Sequence, residues 1–404
     1  MFGFFYSLFA SVSLVLLNII GLFNSKIKQL LFSRKSAVKP IAGPKTFWIH
    51  CASLGEYEMA LPLVEKILET HKLNELLITF FSPSGYKQAT KGPYSEVISY
   101  LPFDTRKNVL NFYSDYSPKN AVFIRYDFWY NFIRIGLKRN VQFYVINGRF
   151  STNHFILKWI GLPYKKLLHR FRAIFLSDKA SMDVLMQNGF QNVLFTGDTR
   201  YDRVSAIAKN TTSLETIAQF RGNRTLLVVG SSWEAEEQLV LELAKQNIEE
   251  FAIIIAPHDI KRSDEIVAKF RGFSVAKYSE IDLKNTSNIL IIDNIGMLSR
   301  IYRYADVALI GGGFSGKLHN ILEPAVWGCP VFFGPIFTKF PEATDFIEAG
   351  FGFKISDAES FVKQLDFLLN NTNKLAEVKA KSKQFTKEQI GASGLIYDQI
   401  ISNT

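Results

Sequence analysis

Residues Arg224–Lys245 read "RTLLVVGSSWEAEEQLVLELAK". A β-rich apolar run ends in Gly230-Ser231-Ser232, acids follow, and a helical stretch begins. The unit is strand, glycine turn, helix. Strand-like runs continue downstream in "EFAIIIAPHD" (250–259), "NILIIDNIG" (288–296), "ADVALIGGGFS" (305–315) and "CPVFFGP" (329–335), each with a loop at its C-terminal end. Upstream the same alternation runs through "KTFWIHCAS" (45–53), "NELLITFFSPSGYKQATK" (74–91), "NAVFIRYDFWYNFIRIGLKRN" (120–140), "VQFYVINGRF" (141–150), "RAIFLSDKASMDVLMQNGF" (172–190) and "QNVLFTGDTRYD" (191–202). Alternating β and α argues for parallel sheets with helices on both faces. The rhythm weakens in the polar stretch 206–223, "AIAKNTTSLETIAQFRGN", which reads as a connector. The expectation is therefore an α/β chain of two Rossmann-like domains facing a central cleft, 26–207 and 208–404, after an N-terminal anchor, 1–25. Ligands in such sheets bind at the carboxyl ends of the strands. "MALPLVEKILETHK" (59–72) reads as a helix with Pro62 in its first turn, the place where proline fits a helix.

The 404 residues suit two domains, and 48% hydrophobic with 21% charged residues excludes a disordered chain. A net charge of +10 favours anionic partners, such as a nucleotide, a phosphorylated lipid or a membrane face. No nucleic-acid-binding motif stands out, so nucleic acid is not expected as a partner. Cys51 and Cys329 are far apart and suggest neither a disulfide framework nor a zinc site. The six histidines show no metal-ligand spacing, and no metal or other cofactor is expected.

Met1–Ser25 carries no charge, and Phe4–Phe23 is almost wholly apolar. As a helix it would rise about 30 Å, enough to cross a bilayer core. Lys26, Lys28, Arg34, Lys35 and Lys39 follow, which by the positive-inside rule puts the body in the cytoplasm. A spanning anchor in the inner (cytoplasmic) membrane is preferred to a cleaved signal peptide, which would need a basic start and a small-residue cleavage site. It is also preferred to a helix lying in the interface, although Ser7, Ser11, Ser13 and Asn18 dilute the run.

Candidate chemistry concentrates at strand ends. In "HCASLGEYEMALP" (50–62) Glu56 stands just past a glycine and either caps a helix or moves a proton; Glu58 is the rival carboxylate, better suited to a first-turn helix acid. "GGGFSGKLHNILEPAVWGCPVFFGP" (311–335) places three glycines after a strand and expects a helix opening near Asn320. Its N–H groups suit a phosphate, and Glu323 suits ribose hydroxyls or merely the helix dipole. Pro257-His258-Asp259 with Lys261 and Arg262 could hold an anion or be a solvated basic turn. Gly230, Ser231 and Ser232 are either an anion nest or a serine cap. Arg200 in "TGDTRYD" (196–202) reads as a cleft cation or an ion-pair partner.

Several blocks together, "WIHCASLGEYEMALPL", "SPSGYKQA", "YLPFD", "INGRFS", "TGDTRYD", "GSSWEAEE", "APHD" and "GGGF…HNILEPAVWGCPVFFGP", resemble the Kdo transferases. These GT-B-fold enzymes add 3-deoxy-D-manno-octulosonic acid (Kdo) to lipid A precursors, and the resemblance runs from about Trp48 to Ile355. It implies an inverting single displacement. Glu56 would accept the proton of the attacking glucosamine hydroxyl, CMP-Kdo would be the donor, and the lipid A precursor lipid IVA the acceptor. It implies a CMP site at Pro257 and His258, at Gly296, Met297 and Leu298, and at Asn320, Ile321, Leu322 and Glu323. The partners implied are CMP-Kdo, a lipid A precursor and membrane lipids.

Three positions depart from the family pattern. His258 stands where arginine is common, and an imidazole grips phosphate less firmly than a guanidinium; Lys261 or Arg262 would have to compensate. Arg125 of "RYDFWYN" (125–131) replaces the first glutamate of "E-T-E-L-W-P-N", while the second acid survives as Asp127. Arg125 could instead bind the Kdo carboxylate or a lipid phosphate, or pair with Asp127. Arg200 stands in place of the family's lysine and keeps its charge. The alternatives are another nucleotide-sugar enzyme of the same fold, a UDP-sugar transferase or epimerase, and a membrane-tethered nucleotide-binding module without turnover.

Overall fold

Two seven-stranded sheets, parallel throughout, frame the computed structural model, which describes residues 2–209, 212–282 and 287–402 apart from the side chain of Lys35. The chain divides into two units, Met1–Arg203 with Gly391–Thr404, and Val204–Ile390.

The first unit's strands are β1 (Phe47–Cys51), β2 (Leu76–Phe80), β3 (Ile98–Tyr100), β4 (Asn120–Ile124), β5 (Gln142–Gly148), β6 (Ala173–Leu176) and β7 (Val193–Phe195), in the order β3-β2-β1-β4-β5-β6-β7. Helices cover both faces, so β1, β2 and β4 are buried at every position. That is why these strands read as continuous apolar runs rather than as alternating ones. Trp48, Phe123 and Phe143 pack one face, and Phe47, Ile49, Tyr144 and Phe175 the other. Each such side chain contributes on the order of 1.5–3 kcal/mol by burial. The second unit's strands are β8 (Thr225–Ser232), β9 (Phe251–Pro257), β10 (Val275–Lys277), β11 (Ile289–Ile291), β12 (Val307–Ile310), β13 (Val331–Phe333) and β14 (Gly352–Lys354), in the order β10-β11-β9-β8-β12-β13-β14. In each sheet the winding reverses beside the first strand, between β1 and β4 and between β8 and β12. Such a reversal splays the following loops apart and opens a crevice.

Four features of the chain differ from the sequence reading. The division falls at Arg203/Val204, inside the helix Thr199–Lys209, and not at 207/208. The last helix, Ala392–Ile401, returns to the first unit, where Ile396 and Ile400 enter the core beside Ile67 and Val64. The polar connector holds a helix, Glu215–Arg221, anchored by buried Ile217 and Phe220; residues 210 and 211 lie outside the described residues. The short strands β3, β10 and β14, each at a sheet edge, were not separated from loop in the sequence.

Among the described residues three α-helices precede β2: α1 (Phe2–Phe23), α2 (Ser25–Lys35) and α3 (Leu54–Leu68). The cap of α3 is Ser53, whose hydroxyl accepts from the Glu56 N–H, so the helix starts five residues before Met59. Pro62 therefore sits inside it, not in its first turn, and denies the Glu58 carbonyl its usual i+4 donor. α1 is long and apolar enough to cross a membrane, and its outer side is exposed at Phe4, Leu8, Phe9, Val15 and Ile19. Its other side is seated on the first unit. The Tyr6 hydroxyl donates to Asp104 at 2.8 Å, the Ser7 hydroxyl to Asn131 at 2.9 Å, and Phe2 meets Tyr130 edge-on at 4.9 Å. Near its far end Gly21 lies against Leu31 of α2. α2 is in turn clamped by Arg34, which donates to the carbonyls of Phe81 and Leu101, 2.6 Å each, among the rings of Phe81, Tyr100 and Phe103. Arg34 thus belongs to the protein interior, where burial lowers its pKa to about 10, and is not a headgroup-facing cation.

Candidate active site

At the reversal of the first sheet, β1 runs into Ala52, Ser53 and the first turn of α3, while β4 runs into Arg125-Tyr126-Asp127. Glu56 folds back so that its carboxylate accepts from the Ala52 N–H. Burial raises its pKa; the Ala52 hydrogen bond, His50 and Arg125 oppose the rise, and Asp127 adds to it. Glu56, His50, Arg125 and Asp127 thus share one electrostatic environment. His50 is fully buried, its Nδ1 2.9 Å from Thr79 Oγ1 and its Nε2 2.8 Å from Asp127 Oδ2. Trp48 Nε1 donates to the same Thr79 oxygen at 2.8 Å, and Trp129 Nε1 donates to Asp127 Oδ2 at 2.9 Å. Strand register builds this chain: His50 pairs with Thr79 across β1 and β2 and with Phe123 across β1 and β4.

Arg125 adopts φ +59°, a left-handed conformation that a non-glycine residue holds at a cost of about 1–3 kcal/mol. Its N–H donates to Ile146 O at 3.0 Å, closing the ladder to β5 before the chain turns. Its Nε is buried without a hydrogen-bond partner. The rival acid Glu58 is held by Arg203 at 2.8 Å.

Arg200 starts the helix after β7, where it grips Asp198 at 2.7 Å. Burial alone would raise the Asp198 pKa, but Arg200, aided by Arg149, holds it below the usual carboxylate range. Asp198 and Thr199 are also bonded by Asn147 Nδ2, and Thr199 Oγ1 donates to Met59 O on α3 at 2.6 Å. Arg200 therefore braces the back of α3 through these neighbours.

In the second unit the reversal holds a cavity of about 310 Å³ lined by Ser231, Gly296, Leu298, His319, Asn320 and Glu323, among others. Four residues expected from sequence, Gly296, Leu298, Asn320 and Glu323, meet there. Asn320 Nδ2 donates to Glu323 at 3.0 Å and its Oδ1 accepts from the Leu322 N–H at 3.1 Å. Met297 caps the short helix Leu298–Ile301 with its sulfur near Asn294, while Ile321 and Leu322 are buried packing residues. Pro257 ends β9, and His258 follows it, stacked on Trp233 and tilted against His319 by 36°, with ring centroids 4.5 Å apart in each case. Burial, with His258 beside it, lowers the His319 pKa to about 4, so the ring is neutral at physiological pH. Ser231, read from sequence as part of a possible anion nest, lines this cavity at φ +52°; Trp233 and His319 were not singled out as site residues, because nothing in their spacing joins them to His258.

Three anion-site expectations change. The helix after the triple glycine is Leu322–Val326, five residues, too short for a strong dipole and opening two residues past Asn320. The glycines serve backbone packing: a Cβ on Gly311 would lie 2.0 Å from Ser231 O, and one on Gly313 2.4 Å from Gly334 N. In "GSSWEAEE" the cap is Trp233, whose N–H is taken by buried Glu236, which also accepts from Gly312 N–H at 3.0 Å. Arg262 cannot compensate for His258, because Glu237 and Glu265 hold it at 2.8 and 3.0 Å.

Residues 26–203 match the family model described as 3-Deoxy-D-manno-octulosonic-acid transferase (kdotransferase). Over 400 residues, 92% of this chain, the sequence is 26% identical to a bifunctional glycosyltransferase/methyltransferase of Fusobacterium nucleatum, of whose length the match covers 60%. It is 27% identical to a 3-deoxy-D-manno-octulosonic acid transferase of Chlamydophila psittaci, over 90% of this chain and 86% of that protein. Among solved structures, UDP-GlcNAc 2-epimerase from Neisseria meningitidis bound to UDP-GlcNAc superposes with a TM-score of 0.64 at 14% identity, covering 89% of this chain and all of that one. That likeness carries the fold, the two-sheet GT-B architecture.

Proposed function

We propose that this chain, which belongs to the 3-deoxy-D-manno-octulosonic-acid transferase family by residues 26–203 and by its curated relatives, transfers Kdo from CMP-Kdo to the lipid A precursor lipid IVA. The observation that carries the reading is Glu56. A partly buried carboxylate with raised proton affinity stands at a strand-end crevice, beside His50, Arg125 and Asp127. That is the placement a general base needs.

In the proposed step Glu56 takes the proton of the attacking glucosamine hydroxyl. The new bond forms at the anomeric carbon of Kdo as its bond to the CMP phosphate oxygen breaks, with inversion, and CMP leaves as a phosphate monoester. The Arg125 guanidinium is the cation of this group and suits the Kdo carboxylate. In the second unit the cavity with Asn320 and Glu323 offers acceptors and a donor for ribose, and the Trp233, His258 and His319 rings beside it offer an aromatic face to a base. We further propose that no metal is required, since no histidine pair has ligand spacing; turnover surviving a chelator would agree.

The acceptor is amphipathic, which suits a protein at the cytoplasmic face of the inner membrane. The sequence reading made α1 a spanning anchor. Its polar contacts to Asp104 and Asn131 at one end and its packing on α2 at the other favour a helix lying in the interface, with its exposed apolar side toward the lipid. Mass spectrometry of lipid IVA after incubation with enzyme and CMP-Kdo tests the whole reading: added Kdo is expected, and preference for a UDP-sugar or CMP binding without transfer would overturn it.

A further inference from the structure

One concavity of the first unit is lined by none of Glu56, His50, Arg125 or Asp127. A groove of about 1050 Å³ runs between α2 and the helix Pro83–Ala89. One wall is Lys26, Leu30 and Ser33 of α2; the other is Tyr86 and Lys87, with Tyr86 stacked on Tyr100 at 4.0 Å. Its lining is mainly apolar, with the two lysines as cations and Glu96 as the opposing charge. The Arg34 clamp holds the α2 wall in place.

We infer that this groove binds an acyl chain of the acceptor lipid, with Lys26 and Lys87 meeting its phosphate. This rests on the proposed Kdo transfer and names the subsite that would serve it. Two continuities point to this occupant. At one end the groove starts at Lys26, three residues after the exposed apolar helix α1 ends at Phe23. At the other its rim, Pro83 and Ser84, follows Ser82, whose N–H donates at 2.9 Å to the carbonyl of Ala52, and the Ala52 N–H is the group that holds the Glu56 carboxylate. A chain lying in the groove therefore joins a lipid-facing helix to the turn that carries the base. The size exceeds what a single small polar ligand fills, and the mixture of apolar walls with basic ends matches a phosphorylated glycolipid.

The test uses the full-length enzyme with lipid IVA and with its fully deacylated disaccharide bisphosphate. Leu30→Trp, and separately Ser33→Trp, fill the groove from α2. Each is expected to raise the ratio of KM for lipid IVA to KM for the deacylated acceptor at least tenfold. Native mass spectrometry should find lipid IVA retained by the wild type and lost from L30W and K87E. Equal changes of KM for both acceptors in both tryptophan variants, or retention of bulk phosphatidylethanolamine in place of lipid IVA, would overturn the inference. If the wild type turns over neither acceptor, the proposed function fails, and the retention measurement still decides the groove by itself.

Discussion

His50 Nε2 and Asp127 Oδ2 lie 2.8 Å apart, and the Trp129 indole donates to the same carboxylate oxygen at 2.9 Å. These residues come from two strand ends separated by 77 positions, and the buried ring is fixed from behind by Thr79. Asp127 is thus held in one orientation while Glu56, in the same crevice, accepts from the Ala52 N–H.

Replacing Glu56 with glutamine keeps the shape and removes the base. Kdo transfer to lipid IVA is expected to fall about 10²–10⁴-fold in kcat, while CMP still protects the protein in a thermal shift assay. Near wild-type turnover in this variant would take the base role away from Glu56.

The pH profile follows from the neighbours of Glu56. Burial raises its pKa, so the acid limb of kcat/KM should lie above the ordinary glutamate value of 4.5. Arg125 lowers that pKa and Asp127 raises it. Arg125→Met should therefore move the limb to higher pH and Asp127→Asn to lower pH. Opposite or equal displacements would show that another group sets the limb.

Asp104 reports on the seat of α1. Its carboxylate accepts from Asn131 N–H, Phe132 N–H and the Tyr6 hydroxyl, yet burial outweighs them and raises its pKa to about 7. A carboxyl that binds its proton more tightly when folded favours folding most below its unfolded pKa of about 4, and that contribution fades as pH climbs to about 7. Chemical denaturation from pH 4 to 8 should show this decline in the wild type and a flatter course in Asp104→Asn. That variant should also be weaker by about 1–3 kcal/mol at low pH, having lost one acceptor for buried donors.

Gly230 is fixed by Tyr302, since a Cβ there would stand 1.8 Å from the tyrosine hydroxyl. Gly230→Ala should lower stability by about 1–3 kcal/mol through overpacking. Tyr302→Phe in the same chain should restore part of the loss, because the ring carbon is still only 3.0 Å away. Strictly additive effects in that cycle would rule out the clash.

The alternation of strands and helices was plain in the sequence because fully buried parallel strands are solid apolar runs: "FWIHC", "LLITF", "AIIIAP". β3, β10 and β14 were not, since their three residues lie at or near sheet edges and blend into loop. The start of α3 was masked by Pro62, which reads as a helix opening and sits in the middle. Glu56 stood out as an acid just past a strand and a glycine, and Asp127 only through the resemblance of "RYDFWYN" to the family motif. Their supports did not: Thr79 meets His50 only through the register of β1 on β2, which no local pattern specifies. The same holds for Trp233 and His319, brought onto His258 from different strand ends.

The final helix has a bearing on how the chain is made. Ala392–Ile401 packs on α3, with Tyr397 bonded to Thr70 and Asp202 accepting from Gly391 N–H and Ser393 N–H. During synthesis the first sheet leaves the ribosome long before the segment that seals α3. Until then the nascent first half presents an uncovered oily flank. A nick after Ile390 would leave it in the same half-closed state, so damage there should surface as clumping of the first unit, far along the chain from the cut.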